Sequence, residues 1–221
     1  MKKVVILLLF SLQGFSQTIT DTQLWYGTQL KLEMNKGWAI SGQYRLRTIR
    51  NASYYKGSYF FLKLDKRLND NFLVTTNYRL ALVDVGVFHR FALGLEARKK
   101  INHFTLLLRP MVQYQRQNFA ANDTKNVSAS QDADLYFRPR LQLRCALSRR
   151  FSAYIYAEPF IKFGQQNNNG ISWWQNAVGI KYEYTKNQKI NLYYIRQPDY
   201  TYNKPHLFNI IGIDLEFTLK R

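Results

Sequence analysis

Residues 133–147 read ADLYFRPRLQLRCAL, and the side chains alternate in character without a break. Leu135, Phe137, Pro139, Leu141, Leu143, Cys145 and Leu147 fall on one parity. Asp134, Tyr136, Arg138, Arg140, Gln142 and Arg144 fall on the other. A period of two is strand geometry, because successive side chains of a strand point to opposite faces. Globular strands usually run about 5–6 residues. This segment is far longer, long enough to cross a bilayer when tilted, which takes about 9–11 residues.

The pattern recurs along the chain. Val87, Phe91, Leu93 and Leu95 oppose Arg90, Glu96 and Arg98; Phe104, Leu106, Leu108, Val112 and Tyr114 oppose Arg109, Gln113 and Gln115. Segment 72–82 sets Phe72, Val74, Tyr78, Leu80 and Leu82 against Asn77 and Arg79; segment 207–219 sets Leu207, Ile211, Ile213, Leu215 and Phe217 against Asp214 and Glu216. Segments 22–34, 38–50, 57–67, 151–164, 172–184 and 189–198 follow more loosely, giving eleven in all, with no long helical periodicity between them.

The first sixteen residues, MKKVVILLLFSLQGFS, have another character. Lys2 and Lys3 precede a short apolar run from Val4 to Leu12, and Gly14 and Ser16 stand at −3 and −1 of a cleavage site before Gln17. This is the pattern of a secretory signal peptide, expected over 1–16 with the mature domain over 17–221. The apolar run is about half of the ~20 residues that a spanning helix needs. A membrane form of this chain is therefore a closed β-barrel, the one alternative to helices that satisfies every backbone group in lipid. Negative mean hydropathy alongside 16 Tyr and 15 Phe is compatible with a barrel, since half of each strand faces a polar interior.

The connections differ in length. Five are short, polar and turn-forming: 35–37, 69–71, 100–102, 148–150 and 186–188. Those at 51–56, 118–132, 165–171 and 199–206 are longer. The expected fold is all-β: a transmembrane antiparallel β-barrel of about 10–12 strands, with short periplasmic turns and longer extracellular loops. Trp38, Phe72, Phe104 and Phe151, at the strand starts after short turns, form one aromatic girdle. Tyr54, Tyr55, Phe88, Trp173, Trp174, Tyr200 and Tyr202 are assigned to the other. Eleven is an odd count where single-chain bacterial barrels are normally even. It sends strand 22–34 downward from an external N-terminus.

The formal net charge is +18, of which Lys2 and Lys3 carry two, so the mature chain is at about +16. The basic residues alternate with Leu and Phe, which places them behind an apolar wall and argues against nucleic acid. Their parity is the inner one: Arg45, Arg47, Arg79, Arg90, Arg98, Arg109, Arg138, Arg140, Arg144, Lys162 and Lys181, with Glu96, Glu158, Glu183, Asp214 and Glu216 on the same face. A narrow barrel can be filled by side chains, so the first expectation is a structural barrel whose lumen is largely plugged by ion pairs. The alternative is a narrow channel whose excess positive charge favours small anions.

A lipid-modifying enzyme is the weakest reading. A nucleophilic Ser would need a His base, and His89, His103 and His206 form no such pair in sequence. No metal-ligand spacing, HExxH or phosphate-binding loop occurs, so no metal or other cofactor is expected. The single cysteine, Cys145, allows no internal disulfide.

Four stretches carry a resemblance. Leu24-Trp25, KLEMNKGW over 31–38, QYRLR over 43–47 and IGIDLEF over 211–217 resemble the family labelled domain of unknown function 2490. The resemblance covers the whole mature chain and implies an outer-membrane β-barrel of a Gram-negative bacterium without an assigned activity. In this sequence Phe217 is followed by Thr-Leu-Lys-Arg, whereas such barrels commonly end on the aromatic. The partners expected are outer-membrane lipids, lipopolysaccharide and the barrel insertion machinery.

Overall fold

In a computed structural model, residues 18–84, 86–117, 133–163, 170–202 and 204–220 are described. The expected signal segment, the connection 118–132 and most of 165–171 lie outside them. The strands are β1 (Ile19–Glu33), β2 (Trp38–Ile49), β3 (Tyr54–Arg67), β4 (Phe72–Val83), β5 (Gly86–Ile101), β6 (Phe104–Arg109), β7 (Met111–Gln117), β8 (Asp134–Phe137), β9 (Arg140–Ala146), β10 (Phe151–Phe163), β11 (Gly170–Thr185), β12 (Gln188–Asp199) and β13 (His206–Lys220).

These thirteen segments make eleven staves. β6 runs into β7 across Pro110, and β8 into β9 across Arg138-Pro139. Arg109 pairs with Arg140 and Val112 with Phe137, so the same register sets the two prolines opposite each other. Proline has no N–H to give a ladder, and two in one row interrupt it. The staves stay paired, because the Arg138 N–H donates to the Met111 carbonyl at 2.8 Å. Pro110 and Pro139 both fall on the outer face, away from the arginines they separate.

Every neighbouring pair of staves is antiparallel except the closing one. β1 and β13 pair in parallel from Ile19↔His206 to Glu33↔Lys220. An odd number of staves with alternating direction must close this way. The eleven segments read from the sequence are thus eleven staves of one closed barrel, and β1 begins at the long-loop end, where the Ile19 N–H donates to the Pro205 carbonyl. Following the register once around, from Glu33 through Ala39, Asp65, Thr75, Gly94, Met111, Arg138, Phe160, Trp173, Asp199 and His206, returns to Ile19, a stagger of 14 residues. With strands about 4.8 Å apart and a rise of about 3.3 Å per residue, that stagger tilts the staves by about 41°. The backbone radius is then about 11 Å, so side chains reaching in from opposite walls leave a narrow bore.

The short turns share a closure. Met34 N–H donates to Trp38 O, Leu68 N–H to Phe72 O and Leu147 N–H to Phe151 O. Asn69 Oδ1 accepts from the N–H groups of Asn71 and Phe72, and Ser148 Oγ accepts from those of Arg150 and Phe151. Two different short polar side chains thus make the same turn. The connection expected as a long loop over 51–56 is shorter: β3 already starts at Tyr54, and Arg50, Asn51 and Ala52 turn the chain with positive φ.

The faces are inverted relative to a soluble barrel. Leu30, Leu62, Phe91, Leu93, Leu108, Leu141, Ile155 and Ile211 are exposed on the outside, whereas Glu158, Gln113 and Thr75 are fully buried inside. Two inner tyrosines depend on glycine neighbours. A Cβ on Gly212 would lie 2.1 Å from the Tyr193 ring, and one on Gly179 2.4 Å from the Tyr154 ring. Gly212→Ala is expected to displace Tyr193 at a cost of about 1–3 kcal/mol. A lowered denaturation midpoint would show it, with Gly42→Ala, where the added methyl meets nothing, as the control.

Candidate anion-binding lumen

Two walls of the barrel carry the inner charges. On the first, register places Arg109 directly opposite Arg140, like charge beside like charge. The arrangement is held by one carboxylate. Glu158 of β10 is fully buried; its Oε1 lies 3.2 Å from Arg109 and 3.0 Å from Arg138, and its Oε2 accepts from Arg140 Nε at 2.9 Å. Arg138 also donates to Gln113 Oε1 at 2.6 Å. The guanidinium of Arg138 lies 4.0 Å from the Phe160 ring centre, and that of Arg140 4.0 Å from Tyr156. Aromatic faces and a shared carboxylate together hold three arginines in place.

The second wall is built on β3. Tyr59 and Phe61 point inward, and arginines from its neighbours converge on them. Arg47 lies 4.0 Å and Arg79 5.6 Å from the Tyr59 ring; Arg45 lies 5.8 Å and Arg90 5.7 Å from the Phe61 ring. Arg47 also covers Trp25 at 3.7 Å. Arg45 is neutralised by Asp214 at 2.7 Å. Arg79 donates to Gln115 Oε1 at 2.9 Å and sits directly opposite Arg90 in the β4–β5 ladder. Among the described residues, Arg47, Arg79 and Arg90 have no ion-pair partner.

Four further inner pairs form locally, while Arg144, Lys56 and Asp199 line the lumen without an ion pair among the described residues. Lys162 meets Asp134 at 2.7 Å towards the long-loop end. Lys181 meets Glu216 at 2.6 Å, Arg98 meets Glu96 at 2.9 Å and Lys189 meets Glu183 at 3.1 Å towards the short-turn end. Between the walls lies a cavity of about 440 Å³. Ten of its lining residues are cationic, among them Arg144, Lys56 and Lys181, against two carboxylates, Asp199 and Asp214. Counting Glu158 and Glu216 as well still leaves an excess of six positive charges.

The aromatic assignments divide. Trp38, Phe72, Phe104 and Phe151 are exposed at the short-turn end, and Tyr54, Tyr55, Tyr200 and Tyr202 at the other. Trp173 is not part of a girdle: it lines the cavity and stacks on Phe160 at 4.6 Å. Consecutive strand residues point to opposite faces, so of Trp173 and Trp174 only Trp174 can point outward. Phe88 is corrected for the same reason, since it shares the inner parity of Arg90. The inward rings of Trp25, Tyr59, Phe61 and Tyr193 were not singled out from sequence. The signal was present, because Tyr59 and Phe61 share parity with Lys63 and Asp65.

The histidines lie apart. His89 accepts or donates through Nδ1 to the Tyr78 hydroxyl at 2.7 Å on the outer face, His206 bonds the Lys204 carbonyl at 2.8 Å, and His103 sits in a short turn. No group of His, Cys, Asp and Glu suited to a metal occurs among the described residues.

The sequence matches the profile of a protein family of unknown function, DUF2490, over residues 22–206. The chain belongs to the DUF2490 family. No curated protein matches it. Among solved structures, this DUF2490 barrel is similar to the NanC porin, with 14% identity, a TM-score of 0.57, and coverage of 90% of this chain and 99% of that one. A weaker likeness, at 8% identity and a TM-score of 0.32, is to the outer membrane protein opdK from Pseudomonas aeruginosa, covering 78% of this chain and 64% of that one. The fold of this family member is therefore that of a porin-like barrel.

Proposed function

We propose that this protein is an outer-membrane barrel with a narrow lumen that favours anions. The observation that carries the reading is the cavity between the two walls, where ten cations face two carboxylates. A plug of balanced ion pairs would consume its charges. Here Glu158, Asp214 and Glu216 quench some of the arginines and lysines and leave others unpaired. Fixed positive charge in a narrow, low-dielectric bore lowers the energy of an entering anion and raises that of a cation. The exposed outer band of Leu, Ile and Phe, with aromatic rings at both ends, suits a bilayer. The export signal at 1–16 directs the chain there, with the short turns in the periplasm and the long loops outside. Outer-membrane lipids, lipopolysaccharide and the insertion machinery are its partners in this reading.

Reconstitution into planar bilayers tests the lumen. Under a potassium chloride gradient the reversal potential is expected to indicate preference for chloride. Silent bilayers from correctly folded protein, or a preference for potassium, would overturn the reading.

A further inference from the structure

We infer that Arg47, Arg79 and Arg90 form a binding subsite for a doubly charged oxyanion group. The inference rests on the anion-favouring reading and gives it a ligand class. Three guanidiniums converge on the inner rings of β3 with no carboxylate paired to any of them among the described residues. Arg79 and Arg90 face each other across one ladder, and Arg47 shares the Tyr59 ring with Arg79. The rings take the faces of the guanidiniums. The N–H donors lie along the guanidinium edges, which is the geometry that binds oxyanions. The Nε atoms of all three are buried and have no acceptor among the described residues. The Nε atoms of Arg45, Arg109 and Arg138 are equally unpartnered, but each of those arginines has a carboxylate. Here the wall supplies the Gln115 oxygen to Arg79 and no carboxylate among the described residues, which leaves the charge of the cluster for an acceptor from the lumen.

Charge sets the class. One negative charge leaves two guanidiniums uncompensated, whereas two nearly neutralise the cluster. The opposite wall has no carboxylate to spare, because Glu158 already serves Arg109, Arg138 and Arg140. Sulfate, the phosphate dianion and a small dicarboxylate share the required chemistry, and donors fanned across three staves suit a tetrahedral group best.

Calorimetric titration of the detergent-folded full chain tests this, with sulfate, phosphate, malonate and chloride as separate probes. Saturable binding of sulfate is expected at one site, well above that of chloride. Phosphate should match sulfate at alkaline pH and weaken in mild acid as it becomes a monoanion, while sulfate holds. Arg79→Gln/Arg90→Gln should weaken sulfate by about tenfold or more, the scale of losing charge-assisted hydrogen bonds. Arg90→Lys, which keeps the charge but loses the planar fork, should fall between. Heat-modifiable gel mobility reports folding, and the single Arg90→Gln serves if the double variant does not fold. Equal affinity in wild type and variants, or no preference for sulfate over chloride, overturns the subsite. Malonate binding as tightly as sulfate would identify the ligand as a dicarboxylate. Silent bilayers with intact sulfate binding would remove the channel and leave the site; conductance without saturable binding would do the reverse.

Discussion

Glu158→Gln is expected to destabilise the barrel by about 3–5 kcal/mol, the range for removing one partner of a buried ion-pair cluster. The size follows from how much depends on one carboxylate. Arg109 and Arg140 are pressed together by strand register, and Arg138 reaches the same oxygen as Arg109. Without the negative charge the three guanidiniums repel in a site from which Glu158 itself is fully shielded. Gln keeps the shape and one acceptor, so the loss reads the charge rather than the packing. Denaturant unfolding in lipid measures it. Arg138→Gln added to the variant should recover part of the loss, because the neighbours are coupled. Raised salt should narrow the gap only slightly, because buried charges are screened far less than exposed ones. A variant as stable as wild type at low salt would mean that water, not Glu158, balances these arginines. In bilayers the same variant should shift selectivity further towards anions.

The sequence carried the staves and their faces because a period of two survives wherever one side meets apolar surroundings and the other does not. Segment 133–147 shows both the strength and the limit of that signal. Its alternation marks Leu141 as outer and Arg140 as inner, and it runs through Pro139 without a flaw. Yet the backbone breaks there, since parity records side chains and not hydrogen bonds. Parity also placed the inner charges on one face without pairing any of them. That Glu158 serves three arginines, or that Arg79 faces Arg90, depends on register between staves far apart in sequence. The odd stave count was legible, but its resolution was not: the parallel pairing of β1 with β13 joins residues 187 positions apart, Ile19 and His206 for example. Trp173 was misplaced because aromatic content suggested a girdle where alternation allowed only one of two adjacent rings to face out.

Leu141→Arg is expected to cost about 2–4 kcal/mol in lipid, the price of a cation on the outer face near mid-bilayer. Leu141 stands 54% exposed near the middle of a stave, between the outward Pro139 and Leu143. In a soluble β-protein a residue so exposed would accept arginine almost freely, and the same substitution would read within about 0.5 kcal/mol. The comparison with its neighbour Arg140 sharpens the test. Arg140 lies one residue away on the opposite face, bonded to Glu158 and stacked on Tyr156. Arg140→Leu should also destabilise, but through the inner network, so its cost should shrink when Glu158 is replaced as well. The cost of Leu141→Arg should not respond to Glu158 at all. It should instead depend on surroundings, large in a bilayer and reduced in a short-chain detergent that lets water reach the outer face. Unfolding midpoints of the single and double variants in both media measure this. Independence of Leu141 from the medium would place the outer face in water and remove the membrane from the account of the fold.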